Sequence, residues 1–308
     1  MDINRDNMNA LFMTYNTAFS AGMQLGNTRA NPEQLALEEI AMSGTSAGAA
    51  TVHAWLSQIG GMREWIGDRV ISNIESGKLS VVNRDFEKTV GISRNDIEDD
   101  NYGVYTPLVS AMGQSSGALW MTLGLDALAA NGKWADGKDF FATDRKMGKN
   151  TVNNKTTGAL TATTFNAARV AMESLKLNGD EPAEVIPTTL LVGPSLRDVA
   201  WNIVENEFVV GGETNKAGSV KNPNKGMVRL RVSPRLVGTR ANYWFLLGEK
   251  GGIKPVYVQK RKEPVLTRMD KDDNDNVFMR NEYFYGTHAR GEAFLTLPHL
   301  AYAGIVAA

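Results

Sequence analysis

The stretch that most limits how this chain can fold runs from residue 79 to residue 131. It opens with LSVVNRDFEKTVGISR, residues 79–94. In an extended conformation Val81, Asn83, Asp85, Glu87 and Thr89 fall on one side, and Val82, Arg84, Phe86, Lys88 and Val90 on the other. Neither side is apolar throughout, so the spacing predicts an exposed ribbon rather than a core strand. A knot of acids follows, Asp96, Glu98, Asp99 and Asp100. These repel one another unless cations or a helix N-terminus meet them. From residue 106 to residue 131 the pattern becomes helical. Pro107 suits the first turn, Gly132 the end, and Leu108, Met112, Ser115, Leu119, Leu123 and Leu128 lie near one stripe. Such a helix would be roughly 40 Å long at about 1.5 Å per residue. A long ribbon feeding a long helix, with no catalytic cluster beside it, reads as a structural element.

Several segments within and beyond this stretch carry a resemblance. They are MREWIGDR at 62–69, FEKTV at 86–90, NDIEDD at 95–100, DGKDFF at 136–141 and EYFYG at 282–286. Together they resemble the major head subunits of Mu-like phages and prophages, over most of the chain. The resemblance implies an α+β chain with the tailed-phage capsid fold of the Hong Kong 97 type. Its parts would be an N-terminal arm at 1–32, a first portion of the P-domain at 33–61 and an extended E-loop hairpin at 62–95. The P-domain would resume at 96–160 with a spine helix at about 106–131, followed by an A-domain at 161–268 and C-terminal P-domain strands at 269–308.

The same resemblance implies a structural subunit and no enzyme. Copies would assemble through hexamers and pentamers into an icosahedral shell around double-stranded DNA, in the virion head, after assembly in the host cytoplasm. No cofactor is implied. The partners would be neighbouring copies reached through arm and E-loop, a separate scaffold, a portal, decoration proteins, and DNA touched without sequence preference, with no membrane. Contacts between subunits are expected at Phe12, Tyr15, Phe19, Trp65, Asp68, Arg69, Phe86, Glu87, Asp99 and Asp100.

Composition agrees without being specific. A chain of 308 residues can bury a real core, and a net charge of -1 gives no global nucleic-acid signature. The absence of cysteine excludes disulfides. The first residues contain acids and no apolar run, so they do not read as a signal peptide, and no apolar run approaches the roughly 20 residues of a membrane helix.

Elsewhere the sequence leaves sharper alternatives open. Met8, Phe12, Tyr15, Phe19 and Met23 form an aromatic helix face ahead of a Gly26–Pro32 link. That face belongs either to the chain's own core or to a neighbour. Gly44–Thr45–Ser46–Ala47–Gly48 matches the G-x-S-x-G elbow of serine hydrolases, which requires a strand before it, a helix after it, and an acid and a histidine later in the chain. Glu38 and Glu39 suit a buried strand poorly. Residues 214–248 contain no acid and seven cations, among them Arg229, Arg231 and Arg240. A DNA-binding face at 214–240 is therefore an alternative, against a strand whose cations meet acids elsewhere. Asp270, Asp272 and Asn274 begin like a calcium loop, but Asp275 and Asn281 stand where that motif needs glycine and glutamate.

Overall fold

The computed structural model describes residues 5–27, 36–46, 48, 50–56, 76–99, 103–147, 150–176, 182–210, 219–271 and 273–306. In chain order the elements are α1 (Arg5–Asn27), α2 (Leu37–Ile40), β1 (Ala41–Thr45), β2 (Ala50–Leu56), β3 (Ser76–Val82), β4 (Arg84–Ser93), α3 (Arg94–Glu98), α4 (Tyr105–Gly117) and α5 (Leu119–Ala130). Next come β5 (Arg145–Met147), β6 (Asn150–Val152), β7 (Lys155–Thr156), α6 (Ala162–Glu173), β8 (Ile186–Val192), α7 (Arg197–Val204), β9 (Phe208–Val210), β10 (Ser219–Lys221), β11 (Arg229–Val232) and β12 (Trp244–Glu249). The chain closes with β13 (Val256–Met269), α8 (Asp275–Arg280), β14 (Glu282–Leu295) and β15 (Ala301–Gly304).

Two larger sheets carry the architecture. The first has the order β1-β13-β14-β4, and the second β11-β8-β12-β15-β7. β13 and β14 pair antiparallel from Val256 opposite Leu295 to Met269 opposite Phe284. Along β14, Tyr283, Tyr285, Ala289, Ala293 and Leu295 are buried, while Glu282, Phe284, His288, Arg290 and Glu292 alternate with them and are half-buried. That is the period-2 pattern of a sheet with one face on a core. In the second sheet the central strands are buried on both faces. Leu191, Phe245, Leu247, Ala301 and Ala303 face the core shared with α5 and the first sheet. Leu190, Val192, Trp244, Leu246 and Tyr302 face α6 and α7. Two-sided burial is why these strands read as continuous apolar runs. α6 starts from a capping box at Thr161 and Thr164, with Thr161 as its N-cap.

The expected ribbon at 79–94 is two strands. β3 pairs with β2 in a hairpin, from Ala50 opposite Val82 to Leu56 opposite Ser76. β4 instead pairs with β14, from Arg84 opposite Gly291 to Ser93 opposite Glu282, and forms an edge of the first sheet. An edge strand has one open side, so it tolerates polar residues on both faces. That is why no apolar alternation marks it. Among the described residues the hairpin runs over 50–56 and 76–82. β13 joins the first sheet and β15 the second.

The spine consists of α4 and α5. Ala118 lies between them at φ -74° and ψ -6°, yet its N–H donates to Gln114 O and its own carbonyl accepts from Thr122 N–H, both at 3.1 Å. The buried stripe is Val109, Met112, Ser116, Trp120, Leu123, Leu125 and Leu128, whereas Leu108 and Ser115 face solvent. Asn131, at φ 47° and ψ 49°, ends α5 in place of Gly132. Its side chain clasps Phe141, accepting from the backbone N–H at 2.6 Å and donating to the carbonyl at 3.1 Å. The loop that follows is closed by buried Arg145, which bonds Asp136 and the Asp139 carbonyl and lies 5.1 Å over the Trp134 ring. Trp134 in turn donates to Thr296 O at 2.6 Å.

α1 lies parallel to α4, and the two approach through backbone. Gly22 and Gly26 on α1 face Ser110 and Gln114, and Gly113 and Gly117 on α4 face Phe19 and Met23. A Cβ on any of the four would collide with a main-chain carbonyl oxygen of the partner helix, which no rotamer change relieves. This contact decides between the two readings of the aromatic face. Tyr15 and Phe19 are 1% and 2% exposed, inside the chain's own core with Met112, Tyr283 and Tyr285. The expectation that they contact a neighbouring subunit is corrected accordingly. Phe12 lies beside them, half-buried beneath the Arg268 guanidinium at 4.3 Å. Arg268 also donates to Asn9 Oδ1 at 2.8 Å and pairs with buried Asp270, whose carboxyl burial pushes above its ordinary range.

Two measurements follow from this packing. Gly113→Ala should lower subunit stability by about 2–3 kcal/mol in urea unfolding, the cost of overpacking. Gly132→Ala, where nothing stands within 4 Å, should change it by less than about 1 kcal/mol. Equal effects would show that the helices do not meet through glycine. The second concerns His299, buried in the crossing from β14 to β15 with neither ring nitrogen hydrogen-bonded. Burial, with the Lys250 charge, holds this imidazole down at about 4. The folded state thus binds fewer protons than the unfolded chain, where histidine titrates near 6.5. Its contribution is complete above about pH 6.5 and is lost as the pH falls towards about 4. His299→Leu should flatten the fall in urea midpoint across that window, and an unchanged slope would refute the assignment.

Candidate assembly surfaces

The β2–β3 hairpin leaves the first sheet at the level of Lys260 and Gly291, where β13 breaks its register at Lys260/Lys262 and again at Lys262/Val265. Bulges of this kind re-aim a strand. The hairpin's root is a polar network. Asn83 Nδ2 donates to Ser46 Oγ at 3.0 Å and to Gly48 O at 2.8 Å, and Gln259 Nε2 donates to Asn83 Oδ1 at 2.7 Å. Ser46 Oγ shares a bond with Thr51 Oγ1 at 2.8 Å, while its N–H donates to Lys260 O and its carbonyl accepts from Arg261, both at 2.9 Å. Ser46, Asn83 and Gln259 are all buried. Beside this root a cleft of about 330 Å³ separates Leu79 and Val81 from Ala127, Phe140 and Leu295.

This geometry removes the hydrolase alternative. The elbow is strand–turn–strand, because β2 follows where a helix is required, and Ser46 is committed to Asn83 and Thr51. His288 lies on the sheet with Asp85 at 3.2 Å and Lys262 at 3.1 Å, and His299 is buried elsewhere. The basic segment also finds acids: Arg231 with Glu39 at 2.6 Å, Arg240 with Asp126 at 2.6 Å and Lys225 with Glu207 at 3.8 Å. The calcium-like turn carries Asp270 turned inward to Arg268 and then enters α8 at Asp275.

Of the expected contact residues, Trp65, Asp68, Arg69 and Asp100 lie outside the described residues. Phe86 on β4 is half-buried, under Arg84 at 5.3 Å, and lines a small groove with Leu119, Pro264 and Ala289. Glu87 is exposed and accepts from Thr89 Oγ1 at 2.8 Å. Asp99 is exposed at the end of α3, where its N–H donates to Asn95 O at 2.9 Å. Sequence reading missed Asn83, Gln259, Arg268 and Arg145, since a polar residue in a strand carries no mark that it will be buried. It also passed over the two Gly-x-x-x-Gly spacings, which were visible.

A two-layer subunit with a long paired sheet, a spine and a hairpin standing off its own core is a shell-forming subunit of the tailed-phage capsid type. The comparisons agree. The family described as Mu-like prophage major head subunit gpT matches residues 8–159, 151–236 and 219–305, and the chain belongs to that family. It is 27% identical over 303 residues to the Mu-like prophage FluMu major head subunit of Haemophilus influenzae, covering 97% of this chain and 74% of that one. It is 25% identical over 284 residues to the major capsid protein of Escherichia phage Mu, covering 92% and 68%. The procapsid of bacteriophage JBD30 matches with TM-score 0.56 and 26% identity, over 98% of this chain and 75% of that one. The protein is thus a major capsid subunit of a Mu-like phage head, with a structural and not an enzymatic role.

The root network gives a graded test. Ser46→Ala should cost about 1 kcal/mol and leave particle formation intact, since Asn83 keeps its bond to Gly48. Asn83→Leu removes the hydrogen bonds to Ser46, Gly48 and Gln259 together and should cost about 2–3 kcal/mol and speed proteolysis of the hairpin in free subunits. A Ser46→Ala variant that folds but forms no particles would reopen a chemical role for the serine.

Proposed function

We propose that copies of this chain form hexamers and pentamers that close into an icosahedral shell around double-stranded DNA, with the β2–β3 hairpin acting as the E-loop across a neighbouring subunit. The observation that carries this is the hairpin's isolation. β2 and β3 pair with each other and join neither larger sheet, and a cleft separates the root from α5. A two-stranded ribbon is marginal alone in water, and its open edges invite pairing. A second copy supplies the missing surface.

In this reading the 57–75 segment reaches the neighbour, with Trp65 as its apolar anchor and Asp68 and Arg69 as polar contacts. Burying one tryptophan in this way would contribute roughly 2–3 kcal/mol per copy. Phe86, Glu87, Asp99 and Asp100 would lie under an incoming hairpin along the edge formed by β4 and α3. The first sheet with α3, α4, α5 and α8 would form the P-domain, the second sheet with α6 and α7 the A-domain, and α1 the arm, folded back on its own subunit. A separate scaffold, a portal, decoration proteins and non-specific contact with packaged DNA complete the proposal, with assembly in the host cytoplasm before the subunit becomes part of the head.

Replacing residues 57–75 by a two-residue Asn-Gly turn tests this. Free subunits should keep their circular dichroism and melting temperature, and electron microscopy should show no closed shells. Normal shells from the shortened chain would refute the bridging role of the hairpin.

A further inference from the structure

A cleft of about 170 Å³ lies between β4 and the junction of α4 with α5. The sequence makes room for it. β13 breaks register between Lys262 and Val265, so Glu263 and Pro264 together stand against Ala289 of β14. Pro264 has no N–H, so the break forfeits no donor at that residue. Ala289 pairs with Phe86 of β4 and presents only a methyl group, and Ser115 and Ser116 line the cleft from α4 with side chains hardly larger. Three short side chains beside a bulge leave a gap, and Phe86, Leu119 and Pro264 wall it with carbon.

One polar group in this lining is unsatisfied. Buried positions alternate along β14, and Thr287 takes the one between Tyr285 and Ala289, at 6% exposed. Its Oγ1 has no hydrogen-bond partner among the described residues. Ser116, also buried, donates to Met112 O at 2.8 Å and keeps its oxygen free to accept. Leaving a buried hydroxyl unbonded costs about 1–3 kcal/mol, which a ligand that bonds it recovers. Glu87 and Lys88, both exposed, stand at the rim with one charge of each sign, so the cleft has no net charge to select an ion. We propose that this cleft is a binding site for small neutral aromatic molecules carrying one hydroxyl, the phenol class. The ring lies against Phe86, Leu119 and Pro264, and its hydroxyl pairs with Thr287 Oγ1, which can donate or accept. The size fits, since an engineered apolar cavity of about 150 Å³ in another protein holds benzene. Only atoms of one subunit are involved, so the site stands or falls apart from the shell and the path of the hairpin.

Calorimetry on free subunits at pH 7 tests this with three probes: phenol, toluene and benzoate. Phenol, which titrates near 10 and is neutral at this pH, should bind saturably, and the benzoate anion should not. Thr287→Val keeps the shape of the side chain and removes its hydroxyl. In that variant the affinity for phenol relative to toluene should fall about three- to tenfold, the worth of one hydrogen bond. Ser115→Trp, made at an exposed position of α4, should plug the cleft and abolish binding of both phenol and toluene with circular dichroism unchanged. The site is overturned if phenol gives no saturable binding, if benzoate binds as tightly as phenol, if Thr287→Val leaves the phenol-to-toluene ratio unchanged, or if Ser115→Trp binds both probes as before.

Discussion

The pairing of β13 with β14 organises the subunit. It is fourteen residues long on each strand, and nearly every other feature is referred to it. At one end the pair meets the second sheet through the shared core around Phe245 and Val256. At its middle, Trp120 of the spine packs against Gly291 and donates to Glu263 at 2.9 Å. At the far end Tyr283 and Tyr285 close over α1 and α4. The hairpin leaves where this pair bulges, and α8 is its turn. A sheet of this length supplies a stiff bar, and the hairpin and α8 are placed along it rather than on independent loops.

The division of labour follows burial. Most interior contacts are apolar, and polar ones such as Asn131 with Phe141 and Asn83 with Gln259 are hydrogen-bonded. The parts aimed outward are open: an edge strand and a two-stranded ribbon. An isolated monomer would normally cover or blunt such features. Retaining them is consistent with a chain whose stable state is the assembly.

Much of this was legible in the sequence, and the failures have physical causes. The helix at α4 and α5 and the aromatic helix face of α1 were visible in apolar spacing. Family segments such as 136–141 were recognisable, and the structure gives their reason: Asp136 meets Arg145, Gly137 takes φ 78°, and Phe140 and Phe141 fill the core. The split of 79–94 into hairpin and edge strand was hidden, because both have weak alternation and only Asn83 separates them. The strand partners of β13 and β15 were hidden too, since pairing across the chain leaves no local trace. The arm's docking surface was misjudged because an aromatic face suggests a partner without saying which chain provides it.

The glycine contact between α1 and α4 also limits how the arm can move. A helix held by side chains can creep, because each side chain can change rotamer and accept a new neighbour. Here carbonyls sit over four glycines, and a slip of one residue would set a residue with a side chain, such as Met23 in place of Gly22 or Gln114 in place of Gly113, against backbone. A shift of four residues, about 6 Å at about 1.5 Å per residue, would keep only one glycine of each pair in the contact. The joint therefore has a single register in which all four glycines meet backbone, and the helix is either seated there or released.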